Sequence, residues 1–192
     1  MNRESALKYD AILFDLDGTL LDTLEDLADA MNAALRALEM PEHPLESYRY
    51  FVGRGLRNMV IDVLPPDRRD EKAITRAMEA MREEYAPRWD AKTRPYDGVP
   101  ELLDALTERS VTMTILSNKP HTFTRKCVAR LLSDWPFALV AGARPDLPIK
   151  PDPAGALAVA EQIGVPAERF LYLGDTSTDM QTATGAGMFA VG

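Results

Sequence analysis

Leu13-Phe14-Asp15-Leu16-Asp17-Gly18-Thr19-Leu20 places two carboxylates two residues apart where an apolar run gives out into a glycine turn. If Ala11 to Phe14 is a strand, both acids project past its end. Two other readings compete. Asp-Gly between apolar runs is the strongest short hairpin signal, and Asp-x-Asp also opens calcium loops. The calcium reading fails on spacing, because such a loop carries glycine sixth and glutamate twelfth. Counting from Asp15, the glycine is fourth and Asp26 is twelfth.

Four more apolar runs follow, Val111 to Leu116, Phe137 to Ala141, Phe170 to Leu173 and Met188 to Val191. Like the first they are continuous rather than alternating, which predicts strands covered on both faces. A segment of helical period precedes each of these four: from Pro100, over Thr122 to Leu132, over Pro153 to Ile163 and over Thr178 to Ala186. Strands alternating with helices predict an α/β fold with a doubly wound parallel sheet. The sequence stops at Val191-Gly192, where the fifth strand would finish, with no closing helix. That ending fits a shortened chain or a natural sheet edge.

Residues 23–94 break the rhythm, holding no good strand. Thr23 with Asp26 predicts a capping box, and Leu24, Leu27, Ala28, Met31, Leu35 and Leu38 follow helical spacing until Pro41. Further helices are expected over Leu45 to Val52, Leu56 to Leu64 and Asp70 to Tyr85, with Met78 and Met81 as core packing. The expected organisation is a catalytic core of residues 1–22 and 95–192 interrupted by a helical cap of residues 23–94.

Composition narrows the function classes. With 46% hydrophobic and 27% charged residues among 192, the chain reads as globular. A net charge of -8 argues against general binding to nucleic acid or an anionic membrane. The lone Cys127 excludes an internal disulfide and, on a helical stretch, reads as a packed core thiol. Met1 to Tyr9 is polar and unlike a signal peptide, and no run approaches a membrane span, so a cytoplasmic location is expected. Neither His43 nor His121 has an evident partner, and the surface pattern is silent on oligomeric state.

Each later strand ends in a polar cluster: Ser117-Asn118-Lys119, then Lys150-Pro151-Asp152-Pro153, then Gly174-Asp175-Thr176-Ser177-Thr178-Asp179. Each cluster alone could be a turn, a solvated loop or a helix cap. Ligands of open parallel sheets bind beyond the carboxyl ends of the strands, so the clusters together predict one site. Asp15, Asp17, Asp175 and Asp179 would repel one another without a cation, and hard oxygen donors suit Mg2+. Lys150, Ser117 and Asn118 favour anions. A metal combined with anion donors and a spare carboxylate suits phosphoryl transfer.

In this order the four motifs resemble the signature motifs of the haloacid dehalogenase superfamily of aspartate-nucleophile phosphatases, and residues 23–94 resemble its helical (C1-type) cap. The resemblance implies a Rossmann-like core and a role for each residue. Asp15 would be the nucleophile and Asp17 the general acid and base. Ser117 and Lys150 would bind the transferring phosphoryl group. Asp15, the backbone carbonyl of Asp17, and Asp175 would hold Mg2+, with Asp179 ligating it or orienting Lys150. Asp17 separates the chain from the dehalogenases proper, which resemble it in fold but lack that second acid. Leu20-Leu21-Asp22-Thr23, Phe51-Val52-Gly53-Arg54-Gly55-Leu56, Tyr96-Asp97-Gly98-Val99 and Ser117-Asn118-Lys119-Pro120 resemble the phosphoglycolate phosphatases. On that likeness the substrate is a small phosphorylated metabolite, 2-phosphoglycolate, with Thr19, Asn118, Gly53 and Arg54 as substrate-binding candidates and Arg54 gripping its carboxylate. A beta-phosphoglucomutase-like or other sugar-phosphate or pyrophosphate enzyme is the alternative, and a catalytically idle binding protein of the same fold is a third reading.

Overall fold

A computed structural model describes residues 8–192; most of the polar amino-terminal stretch lies outside the described residues. Five strands form one parallel sheet: β1 (Ala11–Phe14), β4 (Thr112–Pro120), β5 (Phe137–Ala143), β6 (Phe170–Leu173) and β7 (Phe189–Val191). Their order is β5-β4-β1-β6-β7, so β1 is central, with Phe14 level with Ile115 on one side and Leu173 on the other. A central β1, buried but for a half-buried Ile12 and paired in parallel on both sides, explains why its residues do not alternate with polar ones, and it rules out the hairpin reading of Asp17-Gly18.

The helices α5 (Val99–Glu108), α6 (His121–Leu131), α7 (Ala154–Ile163) and α8 (Ser177–Ala186) follow the expected segments within a residue or two. Phe14, Met113 and Ile115 pack with Leu103 of α5 and Cys127 of α6. On the opposite face Leu13, Phe170 and Tyr172 pack with Val159 of α7 and Ala183 of α8. Cys127 is fully buried, as expected for a core thiol.

Between β1 and α5 lie α1 (Leu24–Ala37), α2 (Leu45–Phe51), α3 (Leu56–Val63) and α4 (Glu71–Tyr85), with an apolar core of their own that includes Met31, Leu35, Val60 and Met81. No helix among the described residues is long and apolar enough to cross a membrane.

Three local expectations need correction. A two-residue ribbon, β2 (Leu21–Asp22) against β3 (Arg94–Pro95), ties the two ends of the helical block together. Strands this short leave no periodicity to read. The capping box at Thr23 does not form: Thr23 makes no side-chain cap bond. Asp26 instead turns inward, 1% exposed, and accepts the Lys92 N–H, the Thr93 N–H and the Thr93 hydroxyl at 2.7–3.1 Å. Backbone donors brought across the stem satisfy a buried carboxylate better than the helix end could. Both histidines have partners as well: His43 Nε2 lies 2.8 Å from the Val63 carbonyl, and His121 Nδ1 accepts the Gly142 N–H.

Candidate active site

The chain passes from β1 through β4 and β5 and then returns across β1 to β6, so the sheet's switch point lies beside the carboxyl end of β1. Asp15 follows β1 there, its N–H bonded to the Leu173 carbonyl at 2.9 Å. The next residues turn back tightly: Gly18, at φ +92°, donates to Leu21, and Leu20 and Leu21 donate to Leu16. Glycine is required at position 18 twice over, by that backbone angle and because a Cβ would come within 2.5 Å of Asp175 Oδ2.

Lys150 is the central cation. Its Nζ lies 2.7 Å from Asp15 Oδ1 and 2.6 Å from Asp179 Oδ1, and all three side chains are buried. Burial pushes the Asp15 carboxyl up to about 7; the Lys150 ammonium works against that rise, and the Asp179 and Asp17 charges add to it. Burial opposes the charge on Lys150 as well, but Asp15, Tyr172 and Asp179 overcome it and hold the lysine firmly protonated. Asp179 is desolvated too, yet Lys150 and the Thr176 bonds keep it below the usual carboxylate range. Its Oδ2 accepts the Thr176 N–H and hydroxyl, and its Oδ1 accepts the Tyr172 hydroxyl. Asp179 thus belongs both to the start of α8 and to the site.

Asp15, Asp175 and Asp179 each offer an oxygen within 4.8 Å of the others. Three carboxylates at this separation, two of them, Asp15 and Asp175, pushed up chiefly by burial, fit a hard divalent cation, which would remove the repulsion that disfavours their charged forms.

The other candidates fall into two groups. Ser117 is buried beside Asp15 in a common cavity, and because its Oγ accepts the Lys119 N–H, its own proton is left free to donate. Thr19 donates its hydroxyl to Asp175 at 3.0 Å and so orients that acid. Asn118 spends both amide hydrogens on the carbonyls of Gly53 and Lys150, and its oxygen accepts the Lys150 N–H. Asn118 therefore ties the Lys150 loop to the helical block. Gly53, at φ +104°, permits that approach. Arg54 is drawn elsewhere: its guanidinium pairs with Asp62, half exposed, and it does not line the cavity around Asp15.

Sequence reasoning passed over Lys119 and Tyr85. Lys119 Nζ lies 2.9 Å from Asp17 Oδ1 and 4.9 Å from the centre of the Tyr85 ring, which α4 delivers from the helical block. A signal for Lys119 was present, since strand alternation sets it on the same side as Ser117. Tyr85 gave none.

The haloacid dehalogenase-like hydrolase family matches this chain over residues 12–192. Among curated relatives, a phosphoglycolate phosphatase of Pseudomonas syringae pv. tomato is 35% identical over 94% of this chain and 67% of its own length. One from Nitrosospira multiformis is 36% identical over 94% of this chain and 81% of its own. Among solved structures, a protein of Lactobacillus delbrueckii subsp. bulgaricus, proposed to be a phosphoglycolate phosphatase, superposes with a TM-score of 0.89 at 27% identity. It covers 96% of this chain and 85% of that one.

Proposed function

The chain belongs to the haloacid dehalogenase-like hydrolase family, as a phosphatase, and we propose that it hydrolyses a small phosphomonoester, 2-phosphoglycolate, with Mg2+ and through an aspartyl-phosphate. The observation that carries this reading is the placement of Asp15 at the switch point, held by Lys150 and flanked by Asp175 and Asp179, with Asp17 on the next turn.

In this reading an Asp15 oxygen attacks phosphorus while the ester oxygen departs, and Asp17 gives that oxygen its proton. Asp17 then takes a proton from water as the water attacks the same phosphorus, so the bond to Asp15 breaks and inorganic phosphate leaves. Lys150 and the Ser117 hydroxyl bind the phosphoryl oxygens on which charge develops. Mg2+, held by Asp15, Asp175 and the Asp17 backbone carbonyl with Asp179 alongside, would neutralise phosphoryl charge. Residues 23–94 act as a cap over a core of residues 1–22 and 95–192, and they choose the ester by what they place around Asp17.

The test is phosphate release from glycolate, sugar, nucleotide and pyrophosphate substrates with and without Mg2+. The expected result is fastest turnover of 2-phosphoglycolate, dependence on the metal, and complete loss in Asp15→Asn. A preferred sugar phosphate or pyrophosphate would replace the substrate, turnover by Asp15→Asn would remove the nucleophile, and no release from any ester would leave a binding protein.

A further inference from the structure

Two cavities meet at Asp17. The wider, about 400 Å³, is lined by the acids Asp17, Asp22, Glu25 and Asp175 against a single Arg49, a poor place for an anionic leaving group. The smaller, about 70 Å³, runs between the sheet and the helical block and is the one that contains Asp15 and Ser117. It holds a group of a few non-hydrogen atoms, since one water needs roughly 10–15 Å³ by this measure. Apart from the catalytic acids, its charged groups are cations, Lys119 inside and Arg82 at its rim.

Two features of its far wall call for a ligand. The Lys119 ammonium has three hydrogens, and the contact with Asp17 uses one. The Tyr85 hydroxyl is the buried side-chain polar atom without a hydrogen-bond partner among the described residues, although Tyr85 is 4% exposed. A buried hydroxyl left unpaired is unfavourable, and native proteins rarely retain one without a use. Leu27, Leu56, Met59, Met81 and Phe123 make most of the remaining wall apolar, and Arg82 is the other cation that lines it.

We infer that Lys119 and Tyr85 form the subsite for the leaving group and select a short one that ends in a carboxylate. The inference rests on the phosphatase reading above and deepens it. With phosphorus at Asp15 and the ester oxygen at Asp17, the carboxylate of a two-carbon leaving group takes the free Lys119 hydrogens and the Tyr85 hydroxyl. Its carbon atoms lie against the apolar wall. Arg54, paired with Asp62 outside the cavity, has no part in this.

The experiment compares 2-phosphoglycolate with ethyl phosphate, which has the same length but no carboxylate, in the full chain with Mg2+. Tyr85→Phe is expected to lower kcat/KM for 2-phosphoglycolate about tenfold or more, mostly through KM, while ethyl phosphate changes less than twofold. The ethyl phosphate rate also shows that the variant is folded. Lys119→Met should lower both rates, because it also removes the partner of Asp17, but 2-phosphoglycolate by the larger factor. Equal losses on both esters in Tyr85→Phe, or none, would overturn the subsite, as would a selective loss in Arg54→Ala. A sugar phosphate preferred over 2-phosphoglycolate would overturn the substrate reading while the Tyr85→Phe ratio still decided the subsite. Release from neither ester would overturn both.

Discussion

Replacing Asp26 tests whether the stem of the helical block is held by a buried carboxylate. The side chain accepts the Lys92 N–H at 3.0 and 3.1 Å, the Thr93 N–H at 2.8 Å and the Thr93 hydroxyl at 2.7 Å. Hydrogen bonds to a charged acceptor contribute about 1.5–3 kcal/mol each, so three donors set an upper bound of roughly 5–9 kcal/mol. Water entering the space left by Asp26→Ala recovers part of that, and a loss of about 3–5 kcal/mol is expected, typical of a broken buried charge network. Asp26→Asn keeps the shape and one acceptor oxygen but turns an NH2 toward the donors, so about half that loss is expected. With a urea slope of about 2 kcal/mol/M, the midpoint should fall by roughly 1.5–2.5 M in Asp26→Ala. Circular dichroism in a urea titration at pH 7 measures this directly. A loss under about 1 kcal/mol in Asp26→Ala would show that the clasp is incidental to stability, and an Asn variant worse than Ala would show that shape rather than hydrogen bonding governs the position.

Four other outcomes are expected. Gly18→Ala forces a side chain into a φ of +92° and a Cβ against Asp175, so it should cost about 1–3 kcal/mol and at least tenfold in phosphate release; a variant equal to the native chain in both would refute the steric argument. Mg2+ should raise the melting temperature, since binding at a hundred times Kd stabilises by about 2.7 kcal/mol, and Asp175→Asn should abolish the rise if Asp15, Asp175 and Asp179 share the ion. Burial pushes the Cys127 thiol up to about 11, so below pH 9 it stays protonated and iodoacetamide should label it only after unfolding; native labelling at the rate of a free thiol would contradict this. Lys150 holds Asp179 ionised, which stabilises the fold at neutral pH and is lost as the pH falls through the lowered pKa. Lys150→Met leaves the buried Asp15 and Asp179 without their cation and easier to protonate, so it should cost about 3–5 kcal/mol at pH 7 and recover part of that as the two acids take up protons, in melts from pH 7 to 4.

The five strands and the helices between them were legible because burial on both faces leaves continuous apolar runs, and half-burial of helices leaves a 3.6-residue period. Asp15, Ser117, Lys150 and Asp175 were legible for a related reason: a parallel sheet delivers the residues just past its strands to one edge, so groups far apart in the chain share a predictable address. Where local pattern was the only guide, it misled or said nothing. Thr23 and Asp26 have the spacing of a capping box, but the carboxylate answers to Lys92 and Thr93, whose approach depends on how the helical block closes. Asn118 and Thr19 were expected as substrate contacts, and their hydrogen bonds to the Lys150 N–H and to Asp175 depend on loops that only the folded sheet brings together.

The sequence by itself therefore determined the sheet, the helical insertion and which polar residues gather at the sheet's edge, because periodicity and strand-end position are properties of short segments. Tertiary structure alone decided what surrounds Asp17. Arg54 had the loop and the charge to face it, yet Asp62 takes that guanidinium, while α4 brings Tyr85 over Lys119 from the far side of the block. The second of these pairings is set by how two separately packed cores meet, and no periodicity in the chain encodes that meeting.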